Sequence, residues 1–184
     1  PGLRVTGLET EFGVLCAPAG PSEAAKADLP DVERAAALIF RHRPVGYRST
    51  NLFLPNGGRL YLDIGAHPEY ATAECVRVRD LVAQDQAGRA NLADMARRAA
   101  ARLAQEGTAA RFHLLANNTD SAGHTYGCHE SYSVPRSLLD VTDDATRASS
   151  ETAMAVLTSF LATRPVLVGS GRPLAGGTTE PNEG

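Results

Sequence analysis

The 184-residue chain has 43% hydrophobic and 21% charged residues, which is enough apolar material for a core and excludes disorder throughout. Its formal net charge of -3 gives no general signal for binding nucleic acid, and no apolar run reaches the ~20 residues of a membrane span. The three cysteines, Cys16, Cys75 and Cys128, lack CxxC spacing and favour a reducing cytoplasm over a disulfide framework.

The hydrophobic pattern predicts a mixed order of strands and helices. In chain order the predicted elements are a strand at 5–16, a helix at 31–41, strands at 51–54 and 59–65 around a Pro-Asn-Gly-Gly turn, a helix at 80–106, strands at 112–117 and ending near 133–135, a helix at 150–163 that Pro165 halts, and a short strand at 166–168. Such an order, with a hairpin inside it, indicates an α+β fold with an antiparallel or mixed sheet and helices against one face.

The strand at 59–65 alternates cleanly between apolar and polar side chains. Arg59, Tyr61 and Asp63 share one face and lie within about 14 Å, taking roughly 3.4 Å per residue. The other face suits a core and carries Leu60, Leu62 and Ile64. One face of this strand therefore combines a cation, a phenol and a carboxylate.

The first strand carries two acids on one face. Glu9 and Glu11 lie about 7 Å apart by the same rise. If both strands share a sheet, three carboxylates, an arginine and a tyrosine lie on one surface, which suits Mg²⁺ because this ion prefers hard oxygen ligands. A solvent-exposed sheet face with ordinary polar alternation fits the same pattern.

Two later stretches add candidate residues. Glu69 and Glu74 come soon after the second polar strand; a single acid on a surface loop is ordinary, but crowded carboxylates are costly without a cation. His129 and Glu130 are adjacent, so on a strand they face opposite ways and do not form a simple pair of ligands. Cys128 is interpreted as a small buried residue, because no catalytic triad pattern surrounds it.

Five sequence blocks, taken together, identify a family. They are GLETEFG at 7–13, NGGRLYLD at 56–63, HPEYATAEC at 67–75, NNTDSAG at 117–123 and YGCHE at 126–130. In this order, and across nearly the whole chain, they resemble the Pup ligase/depupylase family, whose members attach the small protein Pup to target lysines or remove it. The ETEFG and NTDSAG runs, and the short stretch before Asn51, are more similar to the ligase branch.

The resemblance implies a fold similar to that of glutamine synthetase, with a curved, mainly antiparallel sheet that cradles ATP and Mg²⁺. Residues 1–168 would form the N-terminal part of this catalytic domain, and 169–184 a flexible, Gly/Pro-rich tail or interrupted loop. The implied activity is that of an ATP-dependent ligase. The γ-carboxylate of Pup's C-terminal glutamate is phosphorylated, and a substrate lysine attacks the acyl phosphate to form an isopeptide bond. The implied partners are Pup and lysine-bearing target proteins.

The same resemblance implies residue roles, matched position by position. They are Asp63 as the catalytic base, Glu9, Tyr61 and Glu69 as Mg²⁺ contacts, Arg59 and Thr72 as ATP contacts, and Glu11 and His129 as further members of the metal shell.

Length is the main departure from the family, whose members run to well over twice the size of this chain. We expect a fragment, a part completed by a complementing C-terminal chain, or a natural short form, and we hypothesise that the polypeptide alone is inactive. Full activity of the isolated chain would refute that hypothesis. Two alternative functions stay open: a depupylase or deamidase of the same fold, and a non-catalytic module that binds Pup or nucleotide.

Overall fold

The computed structural model describes residues 4–20, 29–44, 46, 48–120, 123–138, 142, 144–145 and 147–168. The tail predicted at 169–184 lies outside the described residues. Within them the chain forms, in order, β1 Thr6–Glu11, β2 Gly13–Pro18, α1 Val32–Phe40, β3 Asn51–Phe53, β4 Arg59–Asp63, β5 His67–Ala71, α2 Val78–Gln105, β6 Ala110–Leu115, β7 Cys128–Tyr132 and α3 Arg147–Val168.

The strands form two antiparallel sheets. One has five strands in the order β3-β4-β5-β1-β7, and the other pairs β2 with β6. The predicted α+β class and the mainly antiparallel pairing are therefore confirmed.

The single strand predicted at 5–16 is wrong, because the chain passes from one sheet to the other at Phe12. The Phe12 amide donates to the carbonyl of Pro68 at 2.9 Å, and the residue is 5% exposed. Periodicity could not detect this break, since both halves keep the same alternation of side chains.

The core lies between one face of the larger sheet, the smaller sheet, and the helices α1 and α2. Asp31 begins α1, where its carboxylate accepts a hydrogen bond from the Arg34 amide at 2.8 Å. The buried members of the core are Phe12, Val14, Ala35, Ala36, Ile39, Phe40, Leu52, Leu60, Tyr70, Leu92, Met95, Ala96 and Ala99. With this face covered by helices, the opposite face of the larger sheet is left for polar side chains.

Local structure differs from the sequence analysis at three further places. Residues 67–71 form a strand where none was predicted; Pro68 has no amide to donate, but its carbonyl accepts a hydrogen bond from the Phe12 amide. Ile64 is 91% exposed instead of buried, since the chain turns directly after β4. Pro165 does not halt the last helix: α3 runs through it to Val168, which leaves no strand at 166–168.

Cys128 is exposed, which contradicts the prediction that it is buried. Cys75 is buried; its thiol donates to the carbonyl of Ala73 at 3.3 Å, and burial raises its pKa. Because the thiolate is the reactive form, we expect iodoacetamide at mildly alkaline pH to label Cys128 at least about tenfold faster than Cys75. Pulsed labelling followed by peptide mass spectrometry measures both rates. Equal rates in the folded chain would contradict the structure, and equal rates in urea serve as the control.

In the described part of the chain, every helix is too short or too polar to traverse a lipid bilayer.

Candidate functional site

Cross-strand register brings the predicted residues to one face of the five-stranded sheet. Arg59 lies opposite Ala71 of β5, which lies opposite Glu9 of β1, and Glu9 in turn lies opposite His129 of β7. These four residues form one row across the sheet. Side chains alternate between the two faces of a strand, so the residues two positions along form the next row on the same face.

The second row continues the acidic character of this face. Tyr61 lies opposite Glu69, and Glu69 lies opposite Glu11. In the third row, two residues beyond Tyr61 along β4, Asp63 lies opposite His67. The structure thus places the two predicted polar strands in one sheet, with β5 between them contributing Glu69 to the centre of the face.

Two groups on this face bring potential metal ligands together. The first is Glu9, Glu69 and His129, and the second is Glu11, Asp63 and Glu69; in each group one ligand atom of every residue lies within 4.8 Å of the others. Glu69 belongs to both groups and is 2% exposed. Carboxylate oxygens are the ligands that Mg²⁺ prefers, so the second group fits that ion by its donor chemistry.

Burial dominates the electrostatics of Glu69. It raises the pKa of this carboxyl; a hydrogen bond from Tyr61 opposes the rise, and the nearby carboxylates add to it. The pKa of the Tyr61 hydroxyl is raised too, first by burial and then by Glu69, so the phenol stays protonated and donates. A cation at this position would remove the penalty of burying the ionised Glu69.

Arg59 is held at the outer part of the face, on β4 beside the edge strand β3. Its guanidinium lies 3.8 Å from the centre of the Tyr61 ring and 5.7 Å from that of Phe53. Its Nε donates to the side-chain oxygen of Asn51 at 2.9 Å. These contacts orient the cation along the same face as the acids, where it is suited to bind an anionic group.

Thr72 lies just beyond the end of β5. Its hydroxyl oxygen accepts a hydrogen bond from the Leu8 amide at 3.0 Å, so this oxygen helps to join β5 to β1. A hydroxyl can donate as well as accept, so the Thr72 side chain is also suited to donate to a ligand oxygen. Thr72 also lines a cleft of about 330 Å³ together with Glu9 and Ser131.

His129 and Glu130 face opposite sides of β7, as predicted. The Nδ1 atom of His129 lies 3.1 Å from an oxygen of Glu9 on the acidic face. Glu130 instead pairs with Arg164 of α3 and accepts a hydrogen bond from Tyr132. His129 therefore belongs with the acids, whereas Glu130 joins β7 to the last helix. Glu74, the other acid near this strand, is exposed and lies outside both groups of potential ligands.

The sequence interpretation did not identify His67 as a site residue. Its Nδ1 atom lies 3.2 Å from an oxygen of Glu11, and its ring lies 4.7 Å from the ring of Tyr126. Once 67–71 is recognised as a strand, His67 and Glu69 are two residues apart and share a face. The missing prediction of β5 was therefore also the reason for missing His67.

The chain is similar in sequence to known proteins. Residues 4–183 match the family model described as Pup-ligase protein. The Pup–protein ligase of Xylanimonas cellulosilytica is 47% identical over 173 residues, which are 94% of this chain and 34% of the relative. The chain thus spans about a third of the length of that relative.

Two solved structures are similar in fold. The crystal structure of the complex between prokaryotic ubiquitin-like protein Pup and its ligase PafA matches with a TM-score of 0.71 and 36% identity, covering 89% of this chain and 29% of that one. The structure of the Pup ligase PafA in complex with ADP matches with a TM-score of 0.54 and 38% identity, covering 88% of this chain and 33% of that one. Since the family model extends over residues 4–183 and the relatives match along most of the chain, this chain belongs to the Pup-ligase protein family.

Proposed function

We propose that the chain forms the N-terminal part of the catalytic cradle of an ATP- and Mg²⁺-dependent Pup–protein ligase. The observation that carries this proposal is the polar sheet face, on which Glu9, Glu11, Asp63 and Glu69 converge beside Arg59. The relatives named Pup–protein ligase and the PafA structures solved with Pup and with ADP support it. We place its activity in the cytoplasm.

In this proposal the buried centre of the face holds the metal. Glu9, Tyr61 and Glu69 contact Mg²⁺, with Glu11 and His129 completing the shell, and Arg59 and Thr72 contact ATP. Bound Mg²⁺ supplies neutralisation of the phosphate charge and alignment of the transferred group. The guanidinium of Arg59, oriented by its rings and by Asn51, adds a fixed positive charge for the phosphates.

The proposed reaction has two steps. An oxygen of the γ-carboxylate of Pup's C-terminal glutamate attacks the γ-phosphorus of ATP, and ADP leaves. The amine of a target lysine then attacks the acyl carbon, and inorganic phosphate leaves as the isopeptide bond forms. An ammonium group is no nucleophile, so the lysine must lose a proton, which we assign to the Asp63 carboxylate at the end of β4.

A chimeric ligase tests this proposal. Residues 4–168 replace the matching region of the Xylanimonas cellulosilytica ligase, and conjugation of Pup ending in glutamate to a lysine-bearing protein is followed on gels with ATP and Mg²⁺. We expect a ladder of conjugates that disappears in the Asp63→Asn chimera. Asp80→Asn, at an exposed carboxylate of α2, is the matched control and should retain the ladder.

Two outcomes would contradict the proposal. One is a folded chimera that binds ATP yet forms no conjugate, and the other is conjugation that persists undiminished in the Asp63→Asn chimera. Assays of the 184-residue chain alone, run in parallel, test the separate hypothesis that it is inactive without a complementing portion.

A further inference from the structure

Glu11 is held at both its backbone and its side chain. Its amide donates to the carbonyl of Gly127 at 2.9 Å. One oxygen of its carboxylate lies 3.2 Å from Nδ1 of His67, and both side chains of this pair are largely buried, at 13% and 16% exposed. A carboxylate oxygen accepts hydrogen bonds, so a hydrogen bond between this pair requires the His67 proton on Nδ1.

His67 is held in turn by Tyr126. The two rings are 4.7 Å apart with an angle of 43° between their planes. Tyr126 comes from the polar segment that precedes β7, and its hydroxyl donates to the Asp120 carboxylate at 3.3 Å. Its amide donates to the carbonyl of Asn118 at 3.1 Å, so both ends of the residue are tied to the same segment.

Two glycines leave room for this arrangement. A Cβ at Gly127 would lie 2.6 Å from an oxygen of Glu11, and a Cβ at Gly13 would lie 2.9 Å from the Tyr126 ring. Both distances are shorter than the non-bonded contacts that a Cβ atom makes. Any other residue at Gly127 would therefore displace the Glu11 carboxylate, and any other residue at Gly13 the Tyr126 ring. The backbone around Glu11 and Tyr126 is therefore shaped to their present orientations.

We propose that His67 and Tyr126 are positioning residues for Glu11. They hold its carboxylate within the acidic cluster, which consists of Glu9, Glu11, Asp63 and Glu69. The reason is electrostatic: Glu11 lies close to Asp63 and Glu69, and like charges favour rotation of an unrestrained carboxylate away from its neighbours. A hydrogen bond from His67 keeps it in place, and the Tyr126 ring restricts the imidazole. This inference rests on the proposed function, in which the cluster binds a divalent cation.

Titration of the 184-residue chain with Mn²⁺, followed by electron paramagnetic resonance, tests the role of His67 without any need for catalysis. We expect His67→Ala to weaken Mn²⁺ binding by about 10-fold or more, the usual effect of losing a hydrogen-bond partner of a ligand. His67→Asn should recover most of the affinity, since its amide can take the place of Nδ1–H. His113→Ala, at an exposed histidine of β6, is the matched control.

A second pair of variants separates the ring contact of Tyr126 from its hydroxyl. Tyr126→Phe keeps the ring against His67 and should retain Mn²⁺ affinity within about twofold, whereas Tyr126→Ala should weaken it toward the level of His67→Ala. Unchanged affinity in both His67→Ala and Tyr126→Ala, while Glu69→Gln abolishes binding, would overturn this inference and leave the proposed metal site intact.

Nitrogen-15 spectra of the metal-free chain keep the two proposals distinguishable. We expect the His67 ring to carry its proton on Nδ1 in the unchanged chain and to revert to Nε2 in Glu11→Ala. Protonation on Nε2 in the unchanged chain would overturn the positioning role. If Glu11→Gln and Glu69→Gln both leave Mn²⁺ binding unchanged, the metal site of the proposed function is refuted. A proton on Nδ1 of His67 would in that case still support the hydrogen bond from His67 to Glu11.

Discussion

The Glu69→Gln variant is expected to melt at a higher temperature than the unchanged chain without metal, and to lose Mn²⁺ binding by at least about 100-fold. Glu69 is 2% exposed and belongs to both groups of potential metal ligands. Its buried charge therefore destabilises the metal-free chain, whereas the same charge is needed to bind a cation. Glutamine has nearly the same shape and still accepts the hydrogen bond from Tyr61. We expect a rise of about 2–4 °C, which corresponds to roughly 1 kcal/mol in a chain of this size.

The gain in stability should depend on pH in a defined direction. Burial raises the pKa of Glu69 in the folded chain above the ordinary value. The folded state therefore keeps this proton to higher pH than the unfolded state does; the resulting stability is present below the ordinary pKa and is lost as pH rises through the raised one. The difference in melting temperature should thus be small near pH 4, about the ordinary pKa of glutamate, and should grow toward neutral pH.

Calorimetry with and without Mn²⁺ measures both effects. Mn²⁺ should stabilise the unchanged chain, because a ligand that binds only the folded state raises its melting temperature, and should have little effect on Glu69→Gln. Glu74→Gln removes an exposed acid of the same sequence block and should change neither property. A metal-free Glu69→Gln chain that is less stable than the unchanged chain at neutral pH would show that Glu69 is not a source of electrostatic strain.

Replacing Gly88 by alanine in α2 is expected to destabilise the chain by about 2 kcal/mol. Helix propensity alone predicts the opposite, since alanine is favoured over glycine by about 1 kcal/mol in a helix interior. The structure reverses the sign, because a Cβ at Gly88 would lie 2.1 Å from the ring of Tyr70. Tyr70 is 2% exposed, and its hydroxyl is hydrogen-bonded to Asn56 and Gln84, so the ring cannot move aside cheaply.

Ala90→Gly in the same helix is the matched control for Gly88→Ala. Ala90 is exposed, so the change to glycine there should cost about 1 kcal/mol through propensity alone. Thermal unfolding of both variants gives the comparison: alanine should be the better residue at position 90 and the worse one at position 88. A Gly88→Ala chain that melts higher than the unchanged chain would mean that the contact between α2 and β5 is looser than described.

Much of the candidate site could be predicted from alternation alone. Arg59, Tyr61 and Asp63 lie on one face of a strand because side chains alternate, and the same holds for Glu9 and Glu11. The family resemblance then singled out Asp63 among the acids, which periodicity has no means of doing. Neither the alternation nor the resemblance predicted β5, the strand between β4 and β1. Pro68 weakens the β pattern of this segment, which forms the central strand of the sheet.

The sequence by itself determined the α+β class, the helices α1 and α2, the two polar strand faces and the family. Only the tertiary structure decided that Glu69 is buried between Tyr61 and Glu11 and that the chain changes sheets at Phe12. It also decided that His67 contacts Glu11 and that Tyr126 packs against His67. The physical reason is that periodicity reports which side chains share a face within one segment. Strand order and register, which place segments beside one another, depend on pairing between residues far apart in the chain.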